Sequence, residues 1–227
     1  MKPLVNGDPL VLDRIATLRA ARSTPKEYDL CCIVRVWGGR DTVEGIEHNL
    51  RMLEAVKRAR GINVMLAVLV VGDRDEHARR LERAGIPSTT RSVPAGEIWR
   101  LTARSKLNII RLGVHDCIPW RMTGSLALGS CVVLDQPPRT QWPVPLLPET
   151  NYFNLGLDTA DQGVAAAETY EAVPDLLETW LASPGLVEGI AHTNASYFDE
   201  HVSPEQVGAH LLEQVASLGD RSRASTR

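Results

Sequence analysis

The chain has 227 residues, 44% of them hydrophobic and 23% charged, and a net charge of −3, a globular composition with apolar material for one large or two small domains. No run of about 18 apolar residues is present, which excludes a helical membrane span, and the N-terminus lacks the apolar stretch and cleavage site of a signal peptide, so a cytoplasmic location is expected. Near-neutral charge without a basic block excludes non-specific binding of nucleic acid.

Residues 1–27 read as a leader or linker. From Tyr28 to Leu134, short β-rich runs alternate with helical patterns. Asp29–Trp37 reads as a strand ending at Gly38-Gly39. Ile46, Leu50, Leu53 and Val56 recur at helical spacing, so Val43–Arg60 reads as a helix closed by Gly61, with His48 on its exposed side. Asn63–Val71 is almost continuously apolar, as in a central parallel strand buried on both faces. Glu76–Ala84 reads as a short charged helix, Thr89–Val93 as a weak strand and Pro94–Lys106 as a helix. Leu107–Leu112, a helix over Pro119–Leu128 and a strand over Ser130–Leu134 follow.

Gln136–Pro148 is a proline-rich loop in which Trp142 and the leucines call for burial. Tyr152–Leu157 is one more strand. Helices then fit Ala165–Ala182 (restarting at Pro174), Gly185–Tyr197 and Pro204–Leu218, the last with Ser203 as its cap. Residues 219–227 form a polar tail. Strands separated by helices of roughly 10–18 residues imply a Rossmann-like α/β domain over residues 28–218, with a parallel sheet wrapped on both faces and a helical C-terminal segment. Cys31, Cys32, Cys117 and Cys131 form no CxxC pair, so buried reduced thiols are expected and a zinc site is not.

In an open parallel sheet, ligands lie beyond the carboxyl ends of the strands. After the first strand, Gly38 and Gly39 allow close backbone approach and Arg40 projects over the crevice. The loop Gly113–Trp120 leads into a helix whose free amides and dipole favour an anion, with Arg121 in its first turn. Only four of the 25 basic residues, Lys2, Lys26, Lys57 and Lys106, are lysines, so an anion site here is built from guanidinium groups. Neither GxGxxG nor GxxxxGK[ST] occurs. A Gly-Gly after a strand is also an ordinary turn, and a first-turn arginine also an ordinary solvated residue. His115 and Asp116 are candidates for an acid/base or sugar-binding pair, and no metal site is indicated.

The segments Ser105–Gly113, Trp120–Leu134, Leu147-Pro148 and Asn151-Tyr152 resemble the C-terminal half of a GT-B glycosyltransferase. The pattern is similar to that of the protein O-glucosyltransferase and capsule-associated xylosyltransferase family. Arg121 to Gly129 keeps that family's spacing, and Gly38 and Arg40 match its R-G-x-R segment. The resemblance implies a donor-binding domain for a nucleotide sugar, UDP-linked, with no cofactor and no metal. Arg40 and Arg121 would hold the diphosphate, Gly113 would admit the donor, and Gly38, Gly39, Trp120 and Thr123 would line the donor loops.

Two departures stand out. The Gly113–Arg121 interval is about two residues longer than in the family, and Asn151 replaces a histidine. The GT-B group with two glutamates eight positions apart fits less well, because Asp116 and Gly124 stand there and the second carboxylate is missing. An inverting GT-B enzyme takes its general base from an N-terminal acceptor domain. The resemblance therefore implies a missing domain or partner chain and a saccharide, protein or other hydroxyl acceptor, with the catalytic residue itself unassigned. The alternatives are a non-catalytic α/β binding module derived from such an enzyme, or an unrelated Rossmann-like enzyme acting on a phosphorylated small molecule.

Overall fold

Tyr28–Trp37 (β1) organises the molecule, because its alternating side chains sort into two cores. Leu30, Cys32, Val34 and Val36 enter one core, and Cys31 and Ile33 face the other side. The computed structural model describes residues 14–37, 42–71, 75–91, 93–112, 118–139, 144–159 and 163–224. β1 pairs in parallel with Val64–Val71 (β2), in register from Leu30↔Val64 to Trp37↔Val71. On its other side it pairs with Ser105–Ile110 (β4), from Tyr28↔Ser105 to Cys32↔Ile109. Ser88–Thr89 (β3), Cys131–Leu134 (β5) and Tyr152–Asn154 (β6) complete a parallel sheet of order β3-β2-β1-β4-β5-β6. This is the Rossmann-like α/β architecture expected from the strand–helix alternation.

The first face is covered by Val43–Arg58 (α2), Asp75–Arg83 (α3) and Ala167–Leu181 (α6). Ile15–Ala20 (α1), Ala95–Ala103 (α4) and Trp120–Ala127 (α5) cover that second face. Pro184–Tyr197 (α7) joins the two cores, placing Val187 and Ile190 in the first and Tyr197 in the second. A π-helical turn, Phe198–Val202, leads into Pro204–Ala224 (α8).

Local chemistry explains the element ends. Thr42 caps α2, its Oγ1 accepting from Gly45 N at 3.0 Å. Gly129 ends α5 at φ 59°, where a Cβ would lie 3.1 Å from Ala195 Cβ and 3.2 Å from the Ala191 carbonyl oxygen, so α7 could not pack as it does. Pro174 leaves the Tyr170 carbonyl without its helical N–H. Arg58 Nη2 supplies the missing donor at 3.1 Å, and α6 runs through where a restart was expected.

Several sequence expectations are corrected. Within the expected leader, α1 packs Ile15 and Leu18 into the second core. Arg19 and Arg22 grip Asp199 of the π turn at 2.8 and 2.7 Å. These guanidinium groups, Arg22 first, hold the Asp199 carboxyl below its ordinary value. β2 is deeply buried only along Leu66, Val68 and Val70, because no helix fully covers the half-buried Met65, Ala67 and Leu69. The helix over Pro94–Lys106 stops at Ala103, and β4 begins at Ser105. Leu147 is exposed, since its turn is closed by polar contacts: Leu147 N donates to Asn151 Oδ1 at 3.0 Å and Asn151 N to the Leu147 carbonyl at 2.8 Å. Trp142 lies outside the described residues.

Candidate functional site

The strand order reverses between β1 and β4, which feed helices on opposite faces and therefore part at their carboxyl ends. Their pairing stops at Cys32↔Ile109, leaving the Ile33 and Ile109 carbonyls at the start of the split. Arg121, in the first turn of α5, fills this split. It donates through Nη1 to the Ile33 carbonyl and through Nη2 to that of Ile109, the latter at 2.9 Å. Burial pushes its pKa down, with the thiols of Cys32 and Cys31 opposing that shift. Beside it lies a recess the size of one water molecule, bordered by Cys31, Thr102, Asn108 and Ser125, with Asn108 Oδ1 buried and unpartnered.

The resemblance sets Arg121 on a ligand's diphosphate; in this structure its guanidinium points inward, onto the carbonyls of Ile33 and Ile109. Gly38, Gly39 and Arg40, like Gly113, His115 and Asp116, lie outside the described residues. Trp120 opens α5, 40% exposed, with its ring edge-on to Trp99 at 5.1 Å and 87°. Thr123 is half-buried. At Gly124, a Cβ would lie 2.2 Å from Trp99 Cη2, so the Trp99 ring occupies the space where a longer residue would project.

Under the first face of the crevice lies a polar group of buried side chains. Asp135 follows β5 directly and is 2% exposed. Its Oδ1 accepts from Leu112 N at 3.0 Å and from Gln136 N at 3.1 Å. Its Oδ2 stands 3.5 Å from Nε2 of His48, whose Nδ1 is 2.7 Å from the Tyr170 hydroxyl. Tyr170 Oη in turn accepts from Ala165 N at 3.2 Å, and burial raises its pKa. His48, expected on an exposed helix face, is fully buried, because α6 packs along the second flank of α2.

Arg111, directly after β4 and beside the switch point, is a charged residue that the sequence reading did not single out. Its Nη2 would lie 3.3 Å from a Cβ on Gly45, so the missing side chain there lets the guanidinium rest on the N-terminal turn of α2. The available signal was its place directly after an apolar strand; the reading went instead to the glycine two residues on.

No family model matches the chain, and no curated protein matches it in sequence. Solved structures do match in fold. The C-terminal domain of a glycosyl transferase group 1 family protein (LpcC) from Francisella tularensis matches at TM-score 0.50 and 12% identity, over 79% of this chain and 88% of that one. Anabaena Alr3699/HepE, in complex with UDP and glucose, matches at 0.53 and 12%, over 90% of this chain and 52% of its own. The pneumococcal O-GlcNAc transferase GtfA, in complex with UDP and GlcNAc, matches at 0.53 and 11%, over 86% and 37%. The chain thus spans about half the length of HepE and less of GtfA. Among the described residues no helix is long and apolar enough to cross a membrane. With a six-stranded parallel sheet and helices on both faces, the fold is Rossmann-like α/β and matches the C-terminal domains of GT-B glycosyltransferases.

Proposed function

We propose that this chain is the nucleotide-sugar-binding half of a glycosyltransferase and takes a UDP-linked donor in the crevice between β1 and β4. The observation that carries the reading is the reversal of strand order between β1 and β4, the point where open parallel sheets take ligands, on a fold whose solved neighbours HepE and GtfA hold UDP. Arg40 and Arg111 are assigned to the diphosphate. Arg121, fixed beneath them on two carbonyls, adds a preorganised positive charge.

In such a site catalysis consists chiefly of stabilising the departing diphosphate as the glycosidic bond breaks, a task that guanidinium groups and helix N-termini perform without a metal. Trp120 and Thr123 line the donor side, and Gly113 allows the donor to approach. The acceptor hydroxyl and the base that activates it are assigned to a second domain or chain, with His115 and Asp116 as the alternatives on this one. The narrower likeness to the protein O-glucosyltransferase and xylosyltransferase family rests on the Arg121–Gly129 segment.

Calorimetric titration with UDP, UDP-glucose and pyrophosphate tests the proposal. Saturable binding of UDP, tighter than pyrophosphate and weakened at least tenfold by Arg111→Ala, is the expected result. A folded protein that binds none of the three, or that binds pyrophosphate as tightly as UDP, overturns it.

A further inference from the structure

A histidine and a carboxylate at 0% and 2% exposure inside an aliphatic core are expensive unless the polar groups satisfy one another. Here they link four elements: Tyr170 on α6, His48 on α2, the end of β4 through Leu112 N, and the end of β5 through Asp135 and Gln136 N. Leu112 and Asp135 stand where the chain leaves the sheet for two loops of the crevice. One carboxylate oxygen therefore fixes the starting points of both loops, and its other oxygen faces the imidazole.

One arrangement of the neutral ring pairs the tyrosine proton and the imidazole proton each with an acceptor. Tyr170 Oη already accepts from Ala165 N, so its own proton is free to go to His48 Nδ1. That leaves the imidazole proton on Nε2, directed at Asp135 Oδ2. The 3.5 Å separation there leaves Nε2 without a close partner, making this the slack step of the chain. Resting on the donor-binding reading above, we propose that Tyr170, His48 and Asp135 act as one positioning unit. His48, held as the Nε2–H tautomer, orients the Asp135 carboxylate, which fixes the backbone at Leu112 and Gln136 where the chain leaves β4 and β5 beside the proposed donor site. None of the three side chains is exposed enough to touch the ligand; they act through Leu112 and Gln136.

The test uses the full chain with Asp135→Asn and Tyr170→Phe. Asp135→Asn keeps an oxygen for Leu112 N and Gln136 N but can turn an NH₂ group toward His48, which drives the imidazole proton to Nδ1. Tyr170→Phe removes only the hydroxyl. Nitrogen-15 spectra of the imidazole, amide exchange at Leu112 and Gln136, and UDP titration are read together. The expected results are an Nε2-protonated His48 in the parent and transfer of that proton to Nδ1 in Asp135→Asn. Both variants should also show at least tenfold faster exchange at the two amides relative to the β4 amides, and roughly tenfold weaker UDP binding. An Nδ1-protonated parent, or variants with parental exchange and UDP affinity, overturns the proposal. A parent that binds no UDP removes the donor-binding reading instead, while the spectra and exchange still decide whether the unit exists.

Discussion

Replacing Arg121 with methionine separates its two readings, because methionine keeps most of the buried stem and removes the guanidinium. In the structure, the loss strands the carbonyls of Ile33 and Ile109 at the point where β1 and β4 part. Each bond is charge-assisted, worth about 1.5–3 kcal/mol when its partner is left buried, so the pair amounts to about 3–6 kcal/mol. That is a large share of the 5–15 kcal/mol typical of a domain. For a chain of this length it corresponds to a fall in Tm of roughly 6–24 °C. Arg121→Lys, whose single ammonium reaches one carbonyl well, should lose about half as much. The assay is urea denaturation of the unliganded protein followed by tryptophan fluorescence, with the slope checked for two-state behaviour. An arginine that served only a ligand would leave this stability untouched. A loss below about 1 kcal/mol in Arg121→Met would refute the inward placement and return the side chain to the diphosphate.

Gly124→Ala drives a methyl into the Trp99 ring, 2.2 Å from Cη2, and should cost about 1–3 kcal/mol; a Trp99→Leu background should recover most of it, and a cycle without coupling counts against the contact. Arg58→Met should cost about 1–2 kcal/mol by leaving the Tyr170 carbonyl short of a donor. With Pro174→Ala the penalty should shrink, since residue 174 then supplies an N–H, so denaturation of the double variant is the check. Burial pushes the Cys31 thiol up to about 11 and those of Cys32 and Cys131 up to about 12, so the folded state keeps these protons longer than the unfolded chain does. Their contribution is therefore complete below the ordinary thiol value of 9.0 and is lost as pH rises from there toward 11–12, which Tm measured against pH in the alkaline range should show.

The sheet was legible because its signals are local. The apolar run at β2, the Gly61 and Gly129 stops and the helical spacing of Ile46, Leu50 and Leu53 all depend on near neighbours in the chain. The missed features depend on distant ones. Pro174 reads as a restart until Arg58, far away in sequence, supplies its missing donor. His48 reads as exposed because helical spacing reports the face turned to the sheet and says nothing of a second helix on the flank. Residues 15–23 read as leader because a six-residue helix carries too little periodicity; its anchor, Asp199, arrives only with the π turn.

The crevice shows the same division in its most consequential form. An arginine in the first turn of a helix is unfavourable for the helix dipole, and from sequence alone that conflict invites an external anion. The fold offers a different resolution. Where the strand order reverses, two parallel strands must separate, and their first unpaired carbonyls are acceptors that no other strand can reach. A side chain dropping from the helix above with two donors in a rigid fork meets both, which lysine cannot do. In this chain the guanidinium satisfies both carbonyls before any ligand is present. On the proposed donor-binding reading, a diphosphate would meet that charge already fixed in place, and its direct contacts are assigned to residues at the strand ends such as Arg111, which neither dipole nor spacing had marked.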